Sequence, residues 1–174
     1  MATTRVKICG IRRLQDALVA ADAGADFIGL VLVPGRPRRV DVPTASAIVA
    51  GIKDEAESAG KKSPQLVGLF ADQPLDEVNQ TIEDCGLDLA QLCGNESTDY
   101  CNATKCQVIR VIHVPGSAAR DTSEIPKAGG ATLEVESLGA RVRSHSQAGR
   151  LVTLDRLVEG IPGGTGESFD WTIA

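Results

Sequence analysis

Apolar residues along the chain follow two spacings in turn. Short, nearly continuous apolar runs lie at Arg5–Gly10, Phe27–Val33, Gln65–Phe70, Leu87–Leu92, Gln107–Val114 and Leu151–Asp155. Between them, apolar residues recur at helical spacing. Arg12–Ala23 carries Leu14, Ala17, Leu18, Ala20 and Ala21. Leu75–Asp84 carries Leu75, Val78 and Ile82 on one face. Pro43–Lys53 reads as a further helix with proline in its first turn, and Asn95-Glu96-Ser97 opens a short helix toward Cys101. Gly24 and Gly86 are helix stops. The unbroken run at Phe27–Val33 suits a strand buried on both faces of a parallel sheet. Strand, helix, glycine and strand make a βαβ unit, and its repetition predicts an α/β fold.

Some stretches are less regular. Asp54–Pro64 is polar and reads as a surface loop or a frayed helix end. Asp72 or Gln73 is expected near the cap of the third helix, with Pro74 early in it. Pro115-Gly116-Ser117 reads as a turn, Gly129-Gly130 as a break, Thr132–Val142 as a weak helix or an extended segment, and Ser144–Gly149 as loop. One helix is expected between the fifth and sixth strands if the alternation holds.

The candidate chemistry sits where strands end. Cys9 closes the first strand and Asp155 the sixth. In barrels and doubly wound sheets the carboxyl ends of the strands carry the reacting groups. A thiol and a carboxyl facing each other there would serve as general base and general acid. The plainer reading of Cys9 is a small buried hydrophobe. Lys7, two residues earlier, can share the face of Cys9. After the second strand, Pro34–Arg39 is a loop by its prolines and glycine, and Arg36, Arg38 and Arg39 in it suit a carboxylate or phosphate. A solvated basic loop is the alternative.

Composition narrows the choices. The chain has 174 residues and is read as one domain, 1–174. A formal net charge of -5 argues against nucleic acid or an anionic membrane as partner. Aromatic residues make up 3%, too few to supply platforms for stacked bases. The five cysteines, with no CxxC pair, fit neither a disulfide framework nor a zinc site. With no apolar leader or run of membrane-spanning length, a cytoplasmic, reduced protein is expected.

Several motifs, taken in order, are specific. They are KICGI at Lys7–Ile11, AGADFIGLVLVP at Ala23–Pro34, RRV at Arg38–Val40, QLCGNES at Gln91–Ser97, and LD at Leu154-Asp155 followed by GGTGESFDW at Gly163–Trp171. With them the chain resembles phosphoribosylanthranilate isomerase, nearly end to end. The resemblance implies a (β/α)8 TIM barrel and an Amadori rearrangement of N-(5-phosphoribosyl)anthranilate in tryptophan biosynthesis, with no metal and no organic cofactor. It implies Cys9 as general base, Asp155 as general acid, and Arg38, with Arg36 second, on the anthranilate carboxylate. Gln91 and the glycines Gly163 and Gly164 are further candidates for substrate binding.

Two departures from the family stand out. Cys93 occupies the place of the histidine in the family's QLHG. Only about six strands are read, with no counterpart of the family's seventh and eighth βα units and their phosphate-binding segments. An incomplete barrel would expose strand edges and invite self-association. The competing function is an inactive truncated remnant, or a fragment of a longer multifunctional chain, acting only through protein contacts. Indole-glycerol-phosphate synthase ranks lower still, since Lys7 is the only interior-strand lysine to serve it.

Overall fold

The computed structural model describes residues 4–114 and 138–156. Six strands and five helices alternate along them: β1 (Lys7–Cys9), α1 (Leu14–Asp22), β2 (Phe27–Val31), α2 (Val42–Ser58), β3 (Gln65–Phe70), α3 (Leu75–Cys85), β4 (Leu89–Leu92), α4 (Thr98–Ala103), β5 (Gln107–Val114), α5 (Leu138–Gln147) and β6 (Leu151–Arg156). The strands stand in the sheet in chain order. The chain divides into two compact units, residues 1–109 and 110–174.

In the first unit β1, β2, β3 and β4 pair in parallel. The register aligns Cys9 with Gly29, Gly29 with Val67 and Val67 with Leu89. One step toward the carboxyl ends it aligns Val31 with Leu69 and Leu69 with Gln91. Because side chains alternate across a strand, these residues share one face. The other face carries Ile28, Leu30, Leu66, Phe70, Ala90 and Leu92, which form the main core with Ala17 of α1, Ile48 and Ile52 of α2 and Val78 and Ile82 of α3. Burial of both faces explains why β2 and most of β3 read as unbroken apolar runs. The exposed large apolar side chains among the described residues, Val6, Ile8, Leu14 and Val19, all belong to the β1–α1 region.

Strands β1, β2 and β4 are shorter than their apolar runs, and three helix boundaries sharpen or correct the sequence reading. Helix α2 runs on to Ser58, so of the two readings of this stretch the helix end holds for Asp54–Ser58. Glu and Ala propagate a helix that Ile52 already anchors, and Gly60 at φ 60° ends it. Helix α3 has Pro74 at its cap position with no side-chain cap bond, so Gln73 stands just before the cap as expected and Pro74 lies one position outside the helix rather than early in it. The Gln73 side chain accepts from the Ala71 N–H, at 3.1 Å. In the second unit α5 includes Ser144–Gln147, expected as loop, and Gly149 at φ 76° turns the chain into β6. Of the segment 132–142, residues 132–137 lie outside the described residues.

Gly68 stands in β3 where a Cβ would come within 2.6 Å of Leu87 Cδ1 and 2.8 Å of Phe70 Cε2, both in the core. Substituting Gly68→Ala is expected to destabilise the protein by about 1–3 kcal/mol through overpacking, read from urea unfolding midpoints.

Candidate active site

The sheet face turned away from the helices becomes polar at β1 and β4. Lys7 and Cys9 are both half-buried there, while Ile8 between them is exposed on the other side. Gly29 of β2 is their neighbour. A Cβ at Gly29 would lie 2.9 Å from Cys9 Sγ, 3.2 Å from Lys7 Nζ and 3.2 Å from Leu69 Cδ1. An isolated glycine in a strand marks such a close approach. The Lys7 side chain starts one register step below Cys9 and ends on Gln91, one step above it, where Nζ donates to Oε1 at 2.7 Å. Gln91 Nε2 in turn donates to Cys93 Sγ at 3.4 Å.

Arg38 closes the other side of Cys9. Its Nη1 donates to the Cys9 carbonyl at 2.8 Å. The guanidinium lies across Gly10, where a Cβ would come within 2.5 Å of Nη1, and φ of 83° at Gly10 further favours glycine. Amides of Gly10 and Ile11 donate to Gly29 O, at 2.8 and 3.1 Å, and fix the exit of β1. The basic loop is itself folded back: the Val40 N–H donates to Val31 O at 2.9 Å, and that of Arg39 to Arg36 O at 3.0 Å. Arg36 is half-buried and Arg38 exposed.

Burial pushes the Cys93 thiol up to about 11, against a smaller downward pull from the Gln91 hydrogen bond, so at neutral pH the residue is a neutral thiol. Beyond it the loops after β3 and β4 are tied together. Glu96 Oε1 accepts from the N–H groups of Asp72, at 3.0 Å, and Gly94, at 3.2 Å. Asp72, the positive-φ non-glycine at 56°, accepts from the Asn95 N–H at 2.6 Å. Ser97 caps α4 by accepting from the Tyr100 N–H, and Tyr100 Oη donates to Gln73 O at 2.8 Å.

The structure thus brings Cys9, Arg38 and Gln91 into one cluster, with Arg36 on the adjoining loop. Asp155, the next-to-last residue of β6, is half-buried in the second unit. Gly163 and Gly164 lie outside the described residues. The sequence reading missed Gly10 and Gly29 as the residues that make room. A lone glycine inside an apolar strand is the signal that could have found Gly29. It also missed the Glu96–Asp72 tie, for which the sequence holds no signal. Among the described residues no helix is long and apolar enough to cross a membrane, and no group of His, Cys, Asp and Glu side chains could hold a metal ion. All five cysteines are free. A cleft of about 240 Å³ between α1 and α2, lined by Leu18, Ile52 and Lys61 among others, lies on the helical side and holds none of the candidate residues.

A parallel sheet whose strands follow chain order, alternating with helices and gathering polar groups at strand ends, has the pattern of a barrel-type α/β protein. The family model for N-(5'-phosphoribosyl)anthranilate (PRA) isomerase matches residues 6–174. The N-(5'-phosphoribosyl)anthranilate isomerase of Pseudomonas savastanoi pv. phaseolicola is 39% identical over 173 residues, covering 99% of this chain and 71% of that protein. Among solved structures, the phosphoribosyl anthranilate isomerase of Thermotoga maritima superposes with a TM-score of 0.70 at 24% identity, covering 98% of this chain and 70% of that one. A second, solved in complex with reduced 1-(o-carboxyphenylamino)-1-deoxyribulose 5-phosphate, superposes with a TM-score of 0.64 at 23% identity, over 89% of this chain and 66% of that one. This chain belongs to the phosphoribosylanthranilate isomerase family, and its alternating strands and helices match the fold of the Thermotoga maritima structure over 70% of the latter's length.

The Glu96 tie yields a direct expectation. Glu96→Ala leaves the Asp72 and Gly94 amides without this acceptor and should destabilise the protein by about 2–4 kcal/mol. Glu96→Gln, which keeps an acceptor oxygen, should cost clearly less. Urea titration of both variants measures the difference.

Proposed function

We propose that this protein catalyses the Amadori rearrangement of N-(5-phosphoribosyl)anthranilate to 1-(2-carboxyphenylamino)-1-deoxyribulose 5-phosphate, a step of tryptophan biosynthesis. Family membership supports this reading, and the observation that carries it to particular residues is the cluster of Cys9, Arg38 and Gln91 at the strand ends. The relatives bear the isomerase name across the matched length, which favours an enzyme over an inactive remnant. Substrate and product are small phosphosugar derivatives of anthranilate, and the chemistry calls for no cofactor.

In the proposed mechanism Asp155 protonates the furanose ring oxygen. The C1–O bond breaks as the anilino nitrogen lone pair forms a C1=N iminium. That cation acidifies the C2 proton, which Cys9 removes as general base; the C2–H electron pair becomes the C1=C2 bond and the C1=N π pair returns to nitrogen. Tautomerisation of the resulting enol leaves a carbonyl at C2 and a methylene at C1. The oxidation of C2 balances the reduction of C1, so no external redox partner enters. Arg38, exposed and anchored by one donor on the Cys9 carbonyl, keeps other guanidinium donors for the anthranilate carboxylate. Arg36 is the second choice for that contact. Gly163 and Gly164 remain candidates for phosphate through backbone amides.

Loss of substrate fluorescence follows turnover directly. Cys9→Ala and Asp155→Asn should each lower kcat by about 10²–10⁴-fold, the usual worth of a general base or acid. Turnover undiminished in either variant would overturn that residue's role, and absence of turnover in the unaltered protein would overturn the isomerase reading. Gly29→Ala should cost about 10²-fold in kcat by displacing Cys9 Sγ and Lys7 Nζ, measured in the same assay.

A further inference from the structure

We propose that Lys7 is a further substrate-contacting residue of this site, donating from its ammonium to a sugar hydroxyl beside the carbon that Cys9 deprotonates, and that Gln91 positions Lys7 for this contact. The inference rests on the isomerase reading above and adds residues to it. Cys9 Sγ and Lys7 Nζ lie 2.9 and 3.2 Å from the same point, the missing Cβ of Gly29. The thiol and the ammonium therefore stand no more than about 6 Å apart, near enough to reach adjacent atoms of one small substrate.

The ammonium has three donors, and Gln91 Oε1 takes one of them. Ion pairs among the described residues join Arg13 to Asp16, Lys61 to Asp22 and Lys105 to Glu83; none of them involves Lys7. A half-buried lysine held by a neutral amide keeps its charge uncompensated, which is costly for structure alone and useful where an oxygen-rich ligand arrives. Gln91 is fixed at both ends of its amide, by Lys7 at Oε1 and by Cys93 at Nε2. Its work is then to hold Lys7 across the Gly29 gap, rather than to touch substrate itself.

Peptide-resolved acetylation by acetic anhydride, with and without saturating reduced 1-(o-carboxyphenylamino)-1-deoxyribulose 5-phosphate, tests the contact. The bound compound should slow acetylation of Lys7 about tenfold or more while leaving Lys53, Lys61 and Lys105 unaffected, and Lys7→Met should raise its Kd about 10- to 100-fold, as loss of a charged hydrogen bond does. In the unliganded protein Gln91→Met should speed acetylation of Lys7, because the amide oxygen no longer occupies Nζ. Binding without protection of Lys7 would overturn the contact, and an unchanged rate in Gln91→Met would overturn the positioning role. A wild-type protein that fails to bind the compound would overturn the isomerase reading itself.

Discussion

An absent side chain organises this protein's chemistry. Parallel pairing sets Cys9 beside Gly29, and the space that a Cβ would fill is shared by the Cys9 thiol and the Lys7 ammonium. A Cβ there would stand 2.9 Å from the thiol sulfur and 3.2 Å from the ammonium, so any larger residue would press both groups away from their present positions. The same glycine serves through its carbonyl, which receives the amides of Gly10 and Ile11 as the chain leaves β1. One residue thus fixes both the side-chain geometry and the backbone exit. A polar cluster can exist at this spot because the helical face of the same strands carries much of the apolar burial.

Next to that cluster the loops are held by hydrogen bonds more than by apolar contact. Glu96 is buried and bonds to amides from two loops that are far apart in sequence. Asp72 adopts a left-handed backbone that ordinary residues avoid, and its acceptance of the Asn95 amide offsets that cost. Tyr100 ties α4 to the turn before α3. Loops at strand ends usually carry function and vary, and here they are braced so that the strands below keep their ends in register.

Much of the fold was legible because burial writes itself into spacing. Strands β3 and β5 follow their apolar runs residue for residue, and α1 follows its helical repeat. The end of α2 could not be fixed between helix and loop, since Asp54–Ser58 is mostly exposed and polar, and a helix turn facing water reads like a loop. The same holds for Ser144–Gln147 in α5, which buries no residue. At the site, Cys9, Arg38 and Gln91 could be singled out by residue type, place and motif. Their connections could not. That Arg38 leans on the Cys9 carbonyl, or that Gln91 holds Lys7, depends on register between strands distant in sequence, which no local pattern encodes.

Position 93 has a consequence for acid–base behaviour. An imidazole there would sit near 6.5 in its ordinary state and would change charge across the range in which cells operate. The thiol that stands there, pushed to about 11 by burial, keeps its proton through that whole range. Cys93 therefore contributes a constant, neutral neighbour to Gln91, and mild acidification of the surroundings passes this residue unnoticed.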